Sequence, residues 1–133
     1  MTPIFVDTSY YLALVSPRDA YHSQAGQLAV AIERPLLVTE FVLLEVGNAL
    51  SRGGLRQLFV EMLAQIRSDP HTVVVPASPD LFDKGCQLYA RRRDKTWSLT
   101  DCTSFVAMEE YQVTDALTTD RHFEQAGFNV LLK

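Results

Sequence analysis

The sequence predicts an α/β fold: a mainly parallel central sheet of about five short strands flanked by helices. Three observations support this class. Short apolar runs recur along the chain, and segments with the 3.6-residue periodicity of amphipathic helices separate them. Strands that alternate with helices form parallel sheets that are covered on both faces. Acidic residues also stand where several apolar runs end, and ligands of such sheets bind beyond the carboxyl ends of the strands.

The first part of the chain contains two predicted strands and three predicted helices. Pro17 lies in a predicted turn at residues 16–19, and Gly53-Gly54 supplies the stop signal of a helix. In chain order, the predicted elements are a strand at 3–6, a helix at 11–15, a helix at 22–33, a strand at 36–39 and a helix at 40–52.

The rest of the chain repeats this alternation. Ser78-Pro79-Asp80 is a typical helix start, because Ser caps the helix, Pro suits the first turn and the acid complements the helix dipole. The predicted elements are helices at 55–68, 78–92, 98–111 and 121–126, and strands at 72–75, 116–118 and 130–132. No repeat or linker marks a boundary, so residues 1–133 are expected to form a single domain.

The charge distribution limits the classes of partner. A net charge of −4 argues against broad, sequence-independent binding of nucleic acid, which needs a basic surface. Four of the 12 Lys and Arg residues nevertheless lie between positions 91 and 95. If a metal neutralises four of the 16 acidic residues, the 12 that remain balance the 12 basic residues. An RNA substrate is therefore compatible with the composition.

The apolar, cysteine and histidine residues argue against a membrane helix, a signal peptide, a disulfide framework and a histidine metal site. No apolar run approaches the ~18–20 residues of a membrane helix, and the N-terminus lacks the basic segment of a signal peptide. Cys86 and Cys102 do not suggest a disulfide framework, so reduced thiols in the cytoplasm are expected. Metal-ligand spacing is absent from the histidines, which are predicted to be surface or cap residues: His22, His71 and His122.

Three acidic residues at strand ends or helix starts each have a local structural explanation. Asp7 and Asp120 follow apolar strands and precede helices, so an N-cap role would explain either one. Asp101 lies three residues after Ser98, as in a capping box. A helix start at the mouth of an α/β sheet is also where phosphates and metals bind, so both roles stay open.

Glu45 is harder to explain as a structural residue. On a helix, its neighbours one turn away include Phe41 and Val42, and a carboxylate beside such apolar surface is unfavourable unless it is paired or coordinated. The alternatives are exposure to solvent or a pair with Arg52. If Glu45 and the three aspartates converge, a divalent cation is required, because like charges raise each other's pKa. Mg²⁺ or Mn²⁺ would be expected there, with chemistry on a phosphate.

The ordered set of these motifs resembles the PIN-domain ribonucleases, and most closely the VapC-type toxins of bacterial toxin–antitoxin pairs. The resemblance extends over essentially the whole chain. It comprises an N-terminal strand ending in Asp7-Thr8, Glu45 in the helix after the second strand, the SLTDCTSF block with Asp101, and the TTDRHF segment with Asp120.

This resemblance implies a single PIN-like domain that is a metal-dependent endoribonuclease. It implies that Asp7, Glu45, Asp101 and Asp120 form the catalytic metal site for Mg²⁺, with Mn²⁺ as an alternative. Asp7 and Asp101 are the expected direct ligands, and Glu45 or Asp120 would orient the attacking water or bind a second ion. RNA is the expected substrate, a cognate antitoxin and a second copy of the chain are the expected partners, and no membrane contact is expected.

Three further residues are candidates for contact with the substrate. Thr8 follows the first acid and either caps a helix or bonds a metal-bound water. Arg92 and Arg93 belong to a basic run between Tyr89 and Trp97, which would suit RNA phosphate and bases. The alternative for this run is a solvated helix end that complements the dipole.

Three rival functions follow from the same residues. One is a PIN nuclease of RNA processing that is not a toxin. Another is a non-catalytic module that binds a partner protein and retains a metal site. The last is a receiver-like phospho-acceptor domain with Asp7 as acceptor, although no lysine follows a late strand, where Asp120-Arg121 stands.

Overall fold

Five short strands form one sheet, and every neighbouring pair is parallel. The computed structural model describes all 133 residues. In chain order the strands are β1 (Ile4–Val6), β2 (Leu36–Thr39), β3 (Thr72–Val75), β4 (Asp115–Leu117) and β5 (Asn129–Val130). Across the sheet the order is β3-β2-β1-β4-β5. The predicted class, a parallel α/β sheet of about five strands, is confirmed.

The strand order has a switch point between β1 and β4. The chain leaves β1 toward β2 and β3 on one side, and β4 and β5 extend the sheet on the other. Ligands of open α/β sheets bind at such a point, beyond the carboxyl ends of the strands. A receiver-like domain would have the order 2-1-3-4-5, so the phospho-acceptor hypothesis is wrong.

Seven helices connect and cover the strands. They are α1 (Thr8–Val15), α2 (His22–Ala31), α3 (Glu40–Ala49), α4 (Leu55–Ser68), α5 (Pro79–Arg91), α6 (Leu99–Glu110) and α7 (Arg121–Gln125). α1 begins earlier than predicted, directly after Asp7. α3 ends earlier, because the chain already leaves the helical conformation at Leu50. β5 lies at Asn129–Val130 and not at 130–132, because its register with β4 covers only two residue pairs.

The apolar core is built around β1. All three β1 residues are fully buried, because strands lie on both sides of β1 and helices cover the sheet. This burial explains why the strand is continuously apolar and does not alternate with polar residues. Phe5 packs against Phe123 of α7, with their ring centroids 6.1 Å apart. β3, at the edge of the sheet, leaves Val73 exposed.

Helix contacts bring the carriers of two candidate site residues together. α1 packs on α2 and α3, whereas α5 packs on α6 and α6 on α7. α3 also contacts α6, so the helix that carries Glu45 lies beside the helix that carries Asp101. None of the seven helices combines the length and the apolar character that crossing a bilayer would require.

Candidate metal centre

The four acidic residues lie at the carboxyl side of the sheet. Asp7 directly follows β1, and Asp120 follows β4 by three positions. Since β1 and β4 are neighbours, both residues lie at the switch point. Glu45 is on α3, which begins directly after β2, and Asp101 is in the first turn of α6.

Asp7 is buried and is held by hydrogen bonds to side chains. Its exposed fraction is 6%, and its Oδ2 accepts hydrogen bonds from Thr118 Oγ1 at 2.7 Å and from Ser9 Oγ at 3.3 Å. Asp7 occupies the N-cap position of α1, but its side chain makes no capping hydrogen bond. Asp7 is therefore the N-cap residue by position, but its side chain does not cap the helix. Thr118 Oγ1 also accepts from the backbone N–H of Asp120 at 3.0 Å, which connects Asp7 to the second strand end.

Burial dominates the electrostatics of Asp7. The pKa of Asp7 is raised to about 6, chiefly because burial disfavours the carboxylate. Hydrogen bonds from Thr118 and from the backbone of Thr8 oppose this rise in pKa, whereas the charges of Asp101 and Glu45 add to it. A carboxylate with this pKa is partly protonated near neutral pH unless a cation compensates its charge.

Glu45 is positioned from α1. Thr8 Oγ1 donates a hydrogen bond to Glu45 Oε1 at 2.5 Å, and this contact joins residues 37 positions apart. Glu45 is half-buried and forms no ion pair with Arg52. Thr8, predicted to contact substrate, is buried and uses its hydroxyl to orient this carboxylate.

Asp101 combines a structural role with an open ligand position. Its Oδ2 accepts a hydrogen bond from the backbone N–H of Ser98 at 3.1 Å, and Ser98 Oγ accepts from the backbone N–H of Asp101 at 3.0 Å, so the capping box is complete. The same Oδ2 lies 2.9 Å from His122 Nδ1. Its Oδ1 accepts no hydrogen bond. Burial raises the pKa of Asp101, opposed by the bonds from His122 and Ser98, and the charge of Asp120 adds to the rise.

His122 joins Asp101 to Asp120, although the sequence alone does not identify it as a site residue. Asp120 Oδ1 accepts from the backbone N–H of His122 at 2.8 Å and lies 3.4 Å from His122 Nδ1. Ligand atoms of the three residues all lie within 4.8 Å of one another. His122 was predicted as a surface or cap residue, because it has no ligand spacing from another histidine. The available signal was its position two residues after a capping aspartate, where the ring can turn back beside the acid.

Arg92 and Arg93 form no hydrogen bond or ion pair with the four candidate acids. Arg92 pairs with Asp94 through two hydrogen bonds of 3.1 Å, and its guanidinium lies 4.8 Å from the centroid of the Trp97 ring. Arg93 is exposed and forms no ion pair. Both residues line a groove next to the cluster.

The donor set fits a hard divalent cation. Glu45, Asp101 and Asp120 each use one carboxylate oxygen in hydrogen bonds and keep the other free of them. Asp7 is the most buried of the four acids, and its raised pKa would fall if a cation were bound beside it. Mg²⁺ and Mn²⁺ prefer such carboxylate oxygens.

Comparisons with known proteins agree with the fold. Residues 4–129 match the PIN domain family. The chain is 30% identical, over 94% of its length and 95% of the relative, to the 23S rRNA-specific endonuclease VapC20 of Mycobacterium tuberculosis. The crystal structure of that protein, described as a Sarcin-Ricin loop cleaving toxin, matches with a TM-score of 0.85 over 94% of this chain and 95% of the other.

Two more distant structures share the fold alone. FitAcB from Neisseria gonorrhoeae matches with a TM-score of 0.71 at 16% identity, covering 96% of both chains. VapBC2 from Rickettsia felis, bound to a DNA fragment from its promoter, matches with a TM-score of 0.64 at 14% identity, again over 96% of both chains. With a family match over nearly the whole length, the chain belongs to the PIN-domain family and is a homologue of the VapC-type ribonuclease toxins.

Proposed function

We propose that this protein is a divalent-metal-dependent endoribonuclease and the toxin of a type II toxin–antitoxin pair, with residues 1–133 as one nuclease domain. One observation carries the metal dependence: ligand atoms of Asp101, Asp120 and His122 lie within 4.8 Å of one another, beside the switch point of the sheet where Asp7 is buried. Such an arrangement of like charges is unfavourable in a folded protein unless a cation binds it.

Different residues of the site have different proposed roles. Asp7 and Asp101 are the proposed direct ligands of Mg²⁺ or Mn²⁺, while Glu45 and Asp120 present free oxygens that orient the attacking water or hold a second ion. The bound ion would supply the polarisation of the scissile phosphate and the acidification of the water. Thr118 and Thr8 fix two of the carboxylates, and His122 fixes a third. Preorganisation of this kind removes the need to reorient charges during reaction.

The substrate and partner are proposed from the relative. VapC20 is specific for 23S rRNA, so the first RNA to test is ribosomal RNA, including a stem-loop with the Sarcin-Ricin sequence. Action on ribosomal RNA would place the protein in the cytoplasm. As a homologue of a toxin, the chain is proposed to bind a cognate antitoxin protein.

The test is cleavage of total RNA and of the stem-loop with Mg²⁺, with Mn²⁺ and with EDTA. Cleavage is expected only with metal and is expected to be lost in Asp7→Asn and in Asp101→Asn. Asp83→Asn on the exposed face of α5 removes one charge without touching the site and should cleave like the wild type. Cleavage in EDTA, or full activity of Asp7→Asn, would contradict the proposal. Growth arrest on expression separates a toxin from a nuclease of RNA processing.

A homodimer is the second proposed assembly, and an exposed apolar face supports it. Phe41 of α3 lies beside Phe82 of α5, with ring centroids 6.2 Å apart, and Leu44 follows Phe41 by one helical turn. Leu44 is 63% exposed and Phe82 is 43% exposed. We call these three residues the α3–α5 face. Phe41 is partly buried and packs against Phe82, and exposed apolar side chains grouped in this way favour a protein–protein contact.

A further inference from the structure

A groove of about 460 Å³ lies beside the metal centre, between the end of α5 and the start of α6. Its volume is in the range of pockets that hold small molecules, so it can accept about one nucleotide. We call it the Tyr89–Lys95 groove after three of its lining residues: Tyr89, Arg93 and Lys95.

The free cations of this groove are Arg93 and Lys95. Arg92 also lines it, but its guanidinium is neutralised by Asp94 and stacked on Trp97. Neither Arg93 nor Lys95 forms an ion pair, and no acidic residue lines the groove. On a chain with a net charge of −4, this is a local surface suited to an anion.

The free aromatic ring of the groove is Tyr89. Trp97 is buried, with its indole N–H bonded to Gln125 Oε1 at 3.0 Å and one face of its ring covered by Arg92. Tyr89 is 55% exposed and has no aromatic partner or hydrogen bond. An exposed tyrosine beside free cations is the combination that binds single-stranded nucleic acid, with the ring stacked on a base and the cations on phosphate.

The groove is continuous with the metal centre. Thr96, which lines the groove, has its Oγ1 3.5 Å from Nε2 of His122, and the other ring nitrogen of His122 contacts Asp101. Cys102, at the groove wall, directly follows Asp101 in α6. An RNA strand whose phosphate lies at the acids can therefore extend into this groove.

We propose that the Tyr89–Lys95 groove binds the RNA nucleotide adjacent to the scissile phosphate. Arg93 and Lys95 contact its phosphate, and Tyr89 stacks on its base. The identification of the ligand as RNA rests on the proposed function, whereas the location of the site rests on the groove itself. Unlike Arg93, Arg92 is not assigned to phosphate binding, because its guanidinium is already paired with Asp94.

The experiment measures RNA binding in EDTA, so that cleavage does not interfere. The probe is a fluorescein-labelled single-stranded RNA of about 12 nucleotides, followed by anisotropy over a range of salt concentrations. Arg93→Ala and Lys95→Ala are each expected to weaken binding several-fold and to reduce the slope of log K against log salt by about 0.7. The matched control is Arg18→Ala, which removes one cation from the turn after α1, at the end of that helix far from Asp7.

Tyr89 is tested by a pair of variants. Tyr89→Ala is expected to raise the dissociation constant roughly 5- to 150-fold with the salt slope unchanged, because it removes base stacking and no charge. Tyr89→Phe keeps the ring and should bind like the wild type. Thermal unfolding and light scattering of each variant show whether a change in binding arises from misfolding or from a change in oligomeric state.

Failure of this proposal is distinguishable from failure of the proposed function. The proposal that this groove binds RNA would be overturned if the wild type bound no RNA detectably. It would also be overturned if the salt slopes of Arg93→Ala and Lys95→Ala equalled that of Arg18→Ala. Metal-dependent cleavage would survive that outcome. Conversely, if the binding changes are as expected but the protein cleaves no RNA, the RNA-binding role of the groove is supported and the proposed nuclease activity is overturned.

Discussion

Asp7 is an ionisable residue buried at a cost in stability. The carboxyl group is buried, and the hydrogen bonds from Thr118 and Ser9 compensate only part of its lost hydration. Burial therefore raises its pKa from 3.8 to about 6. A position that served stability alone would not hold an ionisable group there.

The sign of this shift gives a prediction for the metal-free protein. Because the pKa is higher in the folded chain, the native state retains a proton that the unfolded chain has already released. Stability is then expected to fall as pH rises from 3.8 to about 6, and the loss persists above that range. A shift of this size corresponds to roughly 2–3 kcal/mol.

Asp7→Asn removes this titration and should stabilise the metal-free protein by roughly 2–3 kcal/mol at about pH 8. At about pH 4 the two proteins should differ little, because Asp7 is then largely protonated. Urea unfolding in EDTA at both pH values measures the difference, with Asp83→Asn as the matched control. Equal stability at the higher pH would show that Asp7 is not strained in the folded chain.

Other residues of the site could be anticipated only in part. Asp101 was predicted with two competing roles, and the structure accommodates both: Oδ2 completes the capping box while Oδ1 stays open. His122 was missed, because its contact with Asp101 joins residues 21 positions apart. No periodicity or spacing within the sequence reports such a contact.

At the scale of elements, α6 determines how accurately the acids are held. Its first turn carries Asp101, and its residues from Asp101 to Phe105 are all buried. The helix packs against α3, α5 and α7, so its sequence lacks the polar stripe of a surface helix. The helix was still predictable, since Ser98 marks its start through the capping box.

The close approach of α5 to α6 depends on Gly85. A Cβ atom at this position would lie 2.6 Å from Thr103 Cγ2 and 3.3 Å from the Thr103 backbone. Gly85→Ala is therefore expected to destabilise the protein by roughly 1–3 kcal/mol, because the helices would have to separate. Urea unfolding measures this change.

A second substitution tests the assigned cause. Thr103→Ser in the Gly85→Ala background removes Cγ2 and keeps the hydroxyl that donates to the carbonyl of Thr100, so part of the stability should return. Gly26→Ala in α2, where a Cβ would meet nothing within 4 Å, should stabilise by up to about 1 kcal/mol. A destabilised Gly26→Ala with a neutral Gly85→Ala would contradict this account.

At the scale of the whole molecule, strand order creates the site. β1 and β4 are far apart in the sequence but adjacent in the sheet, so the segments after them carry Asp7 and Asp120 to one place. α3 and α6 then bring Glu45 and Asp101 to the same edge. Right-handed parallel topology makes such a convergence of side chains common in α/β folds. The alternation of strands and helices in the sequence, however, does not by itself specify which strands are neighbours in the sheet.

The α3–α5 face leads to a prediction about assembly. Leu44→Glu and Phe82→Glu are each expected to convert a dimer to a monomer, because they place a charge in an apolar contact without disturbing the core. Light scattering coupled to size-exclusion chromatography measures the mass. Val30→Glu on α2, at a position 88% exposed, is the control and should remain dimeric. A monomeric wild-type protein, or a dimeric Leu44→Glu, would contradict the prediction.

The sequence by itself determined what depends on neighbours a few residues apart. Apolar periodicity and caps located the strands and helices to within a few residues, and the motifs around Asp7, Glu45, Asp101 and Asp120 indicated the PIN family. The tertiary structure alone decided which groups touch. Thr8 reaches Glu45 across 37 positions and Thr118 reaches Asp7 across 111. Those contacts set the hydrogen bonding of the two carboxylates. They depend on strand order and helix packing, which no local pattern encodes.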